Sequence, residues 1–66
     1  MKVRLDEMKL AIAMVKKDFN TIKLAEKSGF SRTLISNAKA GKRIKLETAI
    51  KIANALGVEV TDILED

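Results

Sequence analysis

Gly29 stands between two short stretches that each read as a helix, and this juxtaposition constrains the fold more than any other feature of the chain. The first stretch runs from about Thr21 to Lys27, behind Asn20, whose side-chain oxygen suits a helix N-cap. The second opens on Ser31, another capping residue, and runs to about Lys39, with Gly41 just beyond it. Helices this short are marginal in water by themselves and persist only when packed against something. The backbone between them must turn sharply, and glycine enters the left-handed conformation at little steric cost. The neighbouring residues fit one register. Ala25 is small where the two helices would cross, Gly29 makes the turn, Phe30 plugs the angle and Ile35 anchors the second helix. A very short glycine-containing connection of this kind is helix-turn-helix geometry. Two core-packed helices of a different bundle are the other arrangement these residues allow.

The rest of the chain fits an all-α domain. A first helix is expected from about Arg4 to Lys17, a fourth from about Leu46 to Leu56 closed by Gly57, and a last turn near Thr61, making five short helices. Residues 1–66 read as a single domain, with the helix-turn-helix at about 21–39. A chain this size buries only about 60% of its unfolded surface and has little stability to spare. It contains no cysteine, histidine or proline, which excludes disulfides, zinc-finger ligation and thiol or imidazole catalysis. Phe19 and Phe30 are its only aromatic residues, so the core must be aliphatic. The first helix carries two apolar stripes. Leu5, Met8, Ile12 and Val15 recur at helical spacing on one side, and Val3, Leu10 and Met14 lie nearly opposite. One stripe is core, and the other is either wrapped by the fold or meets another subunit. Leu10, Met14 and Val3 are taken as the candidate dimer or partner surface.

Charge divides the chain into unequal parts. Residues 1–26 carry six basic and four acidic side chains, residues 27–46 six basic and no acidic, and residues 47–66 one basic and five acidic. A net +6 centre beside a −4 end is an electrostatic footprint for a polyanion. The longest apolar run, Leu10 to Val15, is much shorter than the roughly 20 residues that span a bilayer. A cytoplasmic protein without membrane attachment is expected.

The stretch Asn20-Thr-Ile-Lys-Leu-Ala-Glu-Lys-Ser-Gly-Phe-Ser-Arg-Thr-Leu-Ile-Ser-Asn resembles the helix-turn-helix of the phage repressor and Cro family, the XRE class. The continuation from Gly41 to Val58 looks like that family's fourth helix and the loop before it, and the resemblance covers roughly Leu10 to Leu64. It implies a lambda-repressor-like fold of five short helices, the third of which lies in the DNA major groove. This chain departs from the family pattern at three positions. Thr21 stands where the family commonly has a glutamine that braces the DNA backbone, Lys39 where a glutamate is common, and Met14 where an arginine is common.

Groove chemistry then names the candidates. The outward face of the third helix, about residues 31–39, offers Arg32, Thr33, Ser36 and Asn37 for base reading. Arginine pairs bidentately with guanine, asparagine with adenine, and threonine bonds a base edge or touches the thymine methyl. Thr21 and Ser31, at helix starts, suit phosphates, as do Lys39, Lys42, Arg43 and Lys45. The expected activity is sequence-specific binding of double-stranded DNA by a small repressor-type transcription regulator, as a weak homodimer or with a second protein regulator. Two further readings keep the fold and change the role: a modulator that binds another regulator through its first helix, and the antitoxin half of a toxin–antitoxin pair. Without histidine, cysteine, a glycine-rich phosphate loop or a paired acid cleft, no enzyme, metal site, cofactor or small-molecule substrate is expected.

Overall fold

The computed structural model describes all 66 residues. Two residues, Lys2–Val3, form β1, and α1 follows at Glu7–Lys17. Asp6 caps α1 by accepting from the Lys9 amide at 2.9 Å, with Glu7 in the first turn and Lys16 and Lys17 in the last, as the helix dipole favours. α2 spans Thr21–Ser28 behind the Asn20 cap, which accepts from the Lys23 amide at 2.8 Å. Gly29 closes α2 at φ +79°, and its amide returns to the Ala25 carbonyl at 2.9 Å. α3, Arg32–Lys39, opens on Ser31, whose Oγ accepts from the Leu34 amide at 3.1 Å. β2 is Ile44–Lys45, and α4 runs from Leu46 to Leu56 and closes on Gly57. One 3-10 turn follows at Val60–Asp62.

All 14 buried side chains are apolar and form one cluster. Leu24, Ile35, Ala38, Ala49, Ile52 and Ile63 are wholly inside it. α4 is the central element and touches α1, α2, both strands and the 3-10 turn. α2 also packs on α3, the pairing that Ala25, Gly29 and Ile35 were expected to make.

Three expectations need correction. The fold has four α-helices, a 3-10 turn and a two-stranded sheet, not five helices. The last segment is rich in β-branched residues, which resist helix formation. Its backbone also bonds elsewhere: the Ile63 carbonyl accepts from the Asp6 amide at 2.8 Å, and the Glu65 amide donates to the Arg4 carbonyl at 3.0 Å. Those bonds hold Arg4 and Leu5 extended, so α1 begins at Glu7 and not near Arg4. The third correction concerns the faces of α1. Leu10 and Met14, expected as a partner surface, are core residues at 1% and 5% exposure, and Val3 is half-buried in β1. The free stripe is Met8, Ile12 and Val15, at 69%, 47% and 77% exposure. Ile22 of α2 and Ile50 of α4 are exposed as well.

The sheet pairs Lys2 with Lys45 and Val3 with Ile44, antiparallel. It joins the start of the chain to the loop between α3 and α4, and the Leu46 amide extends the pairing by donating to the Met1 carbonyl at 3.0 Å.

Candidate nucleic-acid interface

α3 buries Ile35 and Ala38 and half-buries Leu34, which turns its other side to solvent. Arg32, Thr33, Ser36 and Lys39 are exposed, and Asn37 is half-buried. The four proposed base-reading side chains therefore share the outer arc of one helix, where a rigid backbone fixes their spacing. No acidic residue lies in α3 or in the connection that follows it. Arg32 supplies donors, and Thr33, Ser36 and Asn37 each supply a donor and an acceptor, the groups that base edges in the major groove can pair with.

Thr21 and Lys39, eighteen residues apart, are brought together: the Lys39 ammonium donates to Thr21 Oγ1 at 2.9 Å. This bond ties the end of α3 to the start of α2. It also sets a cation at the positive end of a helix, where the dipole disfavours it. Two of the ammonium's three donors and the Thr21 hydroxyl hydrogen remain free of protein partners. The arrangement suits an anion, and the family's commoner glutamate at position 39 would remove it. Met14, the third departure, is a core residue. Ser31 behaves similarly. Its oxygen accepts from the Leu34 amide as a cap, and its hydrogen stays available to a phosphate.

Lys42, Arg43 and Lys45 are all exposed in the loop after α3. With Asn37 they line a shallow depression completed by Lys2, Leu34, Ile44 and Thr48. Four basic side chains and no acidic one face this space. Lys45 is also the N-cap residue of α4 and makes no capping bond. Lys2 was not among the residues expected here. The signal was present in two alternating runs, Lys2-Val-Arg-Leu and Arg43-Ile-Lys-Leu, each polar–apolar with period two.

The protein's one ion pair, Lys9–Asp66 at 3.0 Å, lies outside this face. The hydrogen bond to Asp66 raises the Lys9 pKa above that of an ordinary lysine, against a smaller lowering by desolvation. None of the interface cations is neutralised by a carboxylate within ion-pair distance.

The family model for the Cro/C1-type HTH DNA-binding domain matches residues 9–66. The chain belongs to that family. Its members are DNA-binding helix-turn-helix domains. The fold is shared with solved proteins of different kinds. The restriction-modification controller protein C.AhdI from Aeromonas hydrophila is 26% identical with a TM-score of 0.76, over 85% of this chain and 86% of that one. The transcriptional regulator VanUg is 22% identical with a TM-score of 0.78, over 98% and 87%. A hydroxyethylphosphonate dioxygenase is 24% identical with a TM-score of 0.82, but this chain spans only 14% of its length, and the likeness is one of fold. No curated protein matches the sequence. No helix is long and apolar enough to cross a membrane.

Proposed function

We propose that this domain is a sequence-specific repressor of phage or prophage type that reads the major groove of double-stranded DNA with α3. The observation that carries the reading is a coincidence. The polar outer arc of α3 is flanked on one side by the Lys39–Thr21 pair and on the other by the Lys42–Lys45 loop, and neither α3 nor that loop contains an acidic residue. In this reading Arg32, Thr33, Ser36 and Asn37 contact base edges, Arg32 favouring guanine and Asn37 adenine. Thr21, Ser31, Lys39, Lys42, Arg43 and Lys45 hold phosphates on either side and so fix the register of α3. The likeness to a controller protein and to a transcriptional regulator over most of their lengths supports regulation as the role.

One recognition helix reads too few base pairs to select a site among the competitors in a genome. Repressors of this geometry overcome that by placing two copies on one face of the DNA, about 34 Å apart. In this reading the exposed Met8, Ile12 and Val15 stripe of α1 receives the second copy. Three side chains fall well short of the roughly 800 Å² per partner of a standard interface, so the pairing is weak and is completed on DNA.

Selection of bound sites from random duplex DNA, with the mass of the complex measured on the selected site, tests both statements. A shared motif with two half-sites and a two-copy complex is the expected result. Absence of any enriched motif would refute sequence-specific reading. A one-copy complex, or one that forms only with a different regulator, would refute the second-copy assignment.

A further inference from the structure

We propose that the two-stranded sheet is a DNA-contact element in its own right, with Lys2 of β1 holding a backbone phosphate together with Lys45, Lys42 and Arg43. The proposal rests on the DNA-binding reading above and adds to it β1, a strand that precedes the helix-turn-helix and the whole of α1 in sequence. Lys2 and Lys45 are directly opposite each other in an antiparallel pair. Opposed residues of such a pair present their side chains on the same face, with Cβ atoms about 4.5–5.5 Å apart. The other pair of the sheet, Val3 and Ile44, turns toward the core, which leaves both lysines exposed on the outer face.

Like charges opposed in this way destabilise a sheet unless something lies between them. Here nothing in the protein does. Both lysines border the depression that also contains Lys42, Arg43 and Asn37, and no acidic side chain lines it. Glu65 borders a neighbouring depression with Lys2, Arg4 and Arg43 without forming an ion pair. A sheet of two residues per strand has few bonds to set against such repulsion. A phosphate bridging Lys2 and Lys45 supplies the missing counter-charge and tightens β1 onto β2. The depression includes Asn37 of α3, so this phosphate belongs to the DNA strand that flanks the bases α3 reads.

The direction of two effects follows. In the free protein, Lys2→Gln removes a repulsion, so it leaves the melting temperature unchanged or raises it at low salt. On DNA it removes a phosphate contact. One contact contributes about 0.9 to the slope of log affinity against log salt, which amounts to roughly eightfold weaker binding near 0.1 M salt.

The test is fluorescence anisotropy of wild type, Lys2→Gln, Lys2→Arg and Lys17→Gln on one labelled mixed-sequence duplex across a salt series, with circular dichroism melts of each free protein. Lys17 lies beside Gly57 at the far end of α1 and serves as the control cation. The expected result is a slope flatter by about 0.9 for Lys2→Gln alone, recovery by Lys2→Arg, and an unchanged slope for Lys17→Gln. A wild-type slope in Lys2→Gln, with binding otherwise intact, would overturn this proposal and leave the DNA-binding reading standing. A drop in both melting temperature and affinity at unchanged slope would show that Lys2 only supports the fold, and would also overturn it. Failure of the wild type to bind duplex DNA at any salt would overturn the DNA-binding reading and this proposal with it.

Discussion

Met14 and Val15 are neighbours in sequence, and the structure gives them opposite fates: Met14 is in the core and Val15 is in solvent. Lysine at each position therefore separates core from surface on α1. Truncating a buried methionine costs about 2–5 kcal/mol, and a lysine there adds an unpaired charge in an apolar surrounding. A chain of this length has a total stability of about 3–10 kcal/mol, at the usual 0.05–0.15 kcal/mol per residue. Met14→Lys therefore removes most or all of the folding free energy. Val15→Lys changes an exposed residue in the last helical turn, and surface changes of this kind stay within about 0.5 kcal/mol. For a small domain that shifts the melting temperature by roughly 2–4 °C. Circular dichroism melts should show no cooperative transition at 25 °C and above for Met14→Lys and a near wild-type transition for Val15→Lys. Sedimentation on the selected DNA site should show Val15→Lys losing the second copy while the first still binds. A folded Met14→Lys beside an unfolded Val15→Lys would refute the orientation of α1, and undiminished pairing of Val15→Lys would refute the stripe as the surface for a second copy.

Changing Lys42 and Arg43 together to alanine should weaken binding to all duplex sequences alike and flatten the salt slope by about two units, one for each phosphate released, read by anisotropy over a salt series. Gly29→Ala places a Cβ in open space but at φ +79°, so its cost is conformational strain alone, about 1–2 kcal/mol or a fall of several degrees in the melting temperature; asparagine, which tolerates that region, should cost less. The raised pKa of Lys9 makes its pairing with Asp66 a stabilising contribution that is complete below about pH 10.4, the lysine value of the unfolded chain, and is lost as pH rises through the higher folded value. An NMR titration of the Lys9 side chain should show its pKa falling in Asp66→Asn, and an unmoved pKa would contradict the pairing.

The helix-turn-helix was legible because its signals are local. Asn20, Gly29 and Ser31 each announce a cap or a turn within a few residues of where it acts, and all three act as expected. α4 was legible to the residue because Gly57 marks its end. The sheet escaped because each strand contributes two residues, and the alternation of Val3 or Ile44 with charged neighbours acquires meaning only when the distant partner strand is known. Helix 1 was harder for a different reason. Both of its stripes are apolar at helical spacing, so periodicity alone could not say which faces the core. The structure resolves this through Leu5, which leaves the helix, bridges to Leu64 and so seats Leu10 and Met14 inward. The Lys39–Thr21 bond was likewise invisible as a contact, although both residues stood out as departures from the family pattern and both were placed near phosphates. The outward position of Arg32, Thr33 and Ser36 followed from helical spacing and agrees with their exposure.

The central claim is that α3 reads bases and does more than rest on the phosphates. The most direct measurement compares wild type with Arg32→Ala and Asn37→Ala on the selected site and on mixed-sequence duplex at one salt concentration. Each substitution should cost about 1–3 kcal/mol on the selected site, roughly fivefold to more than a hundredfold in affinity, and much less on mixed sequence, with the circular dichroism melt preserved. Equal losses on the two duplexes would contradict the claim, because side chains that only touch the backbone weaken every sequence alike.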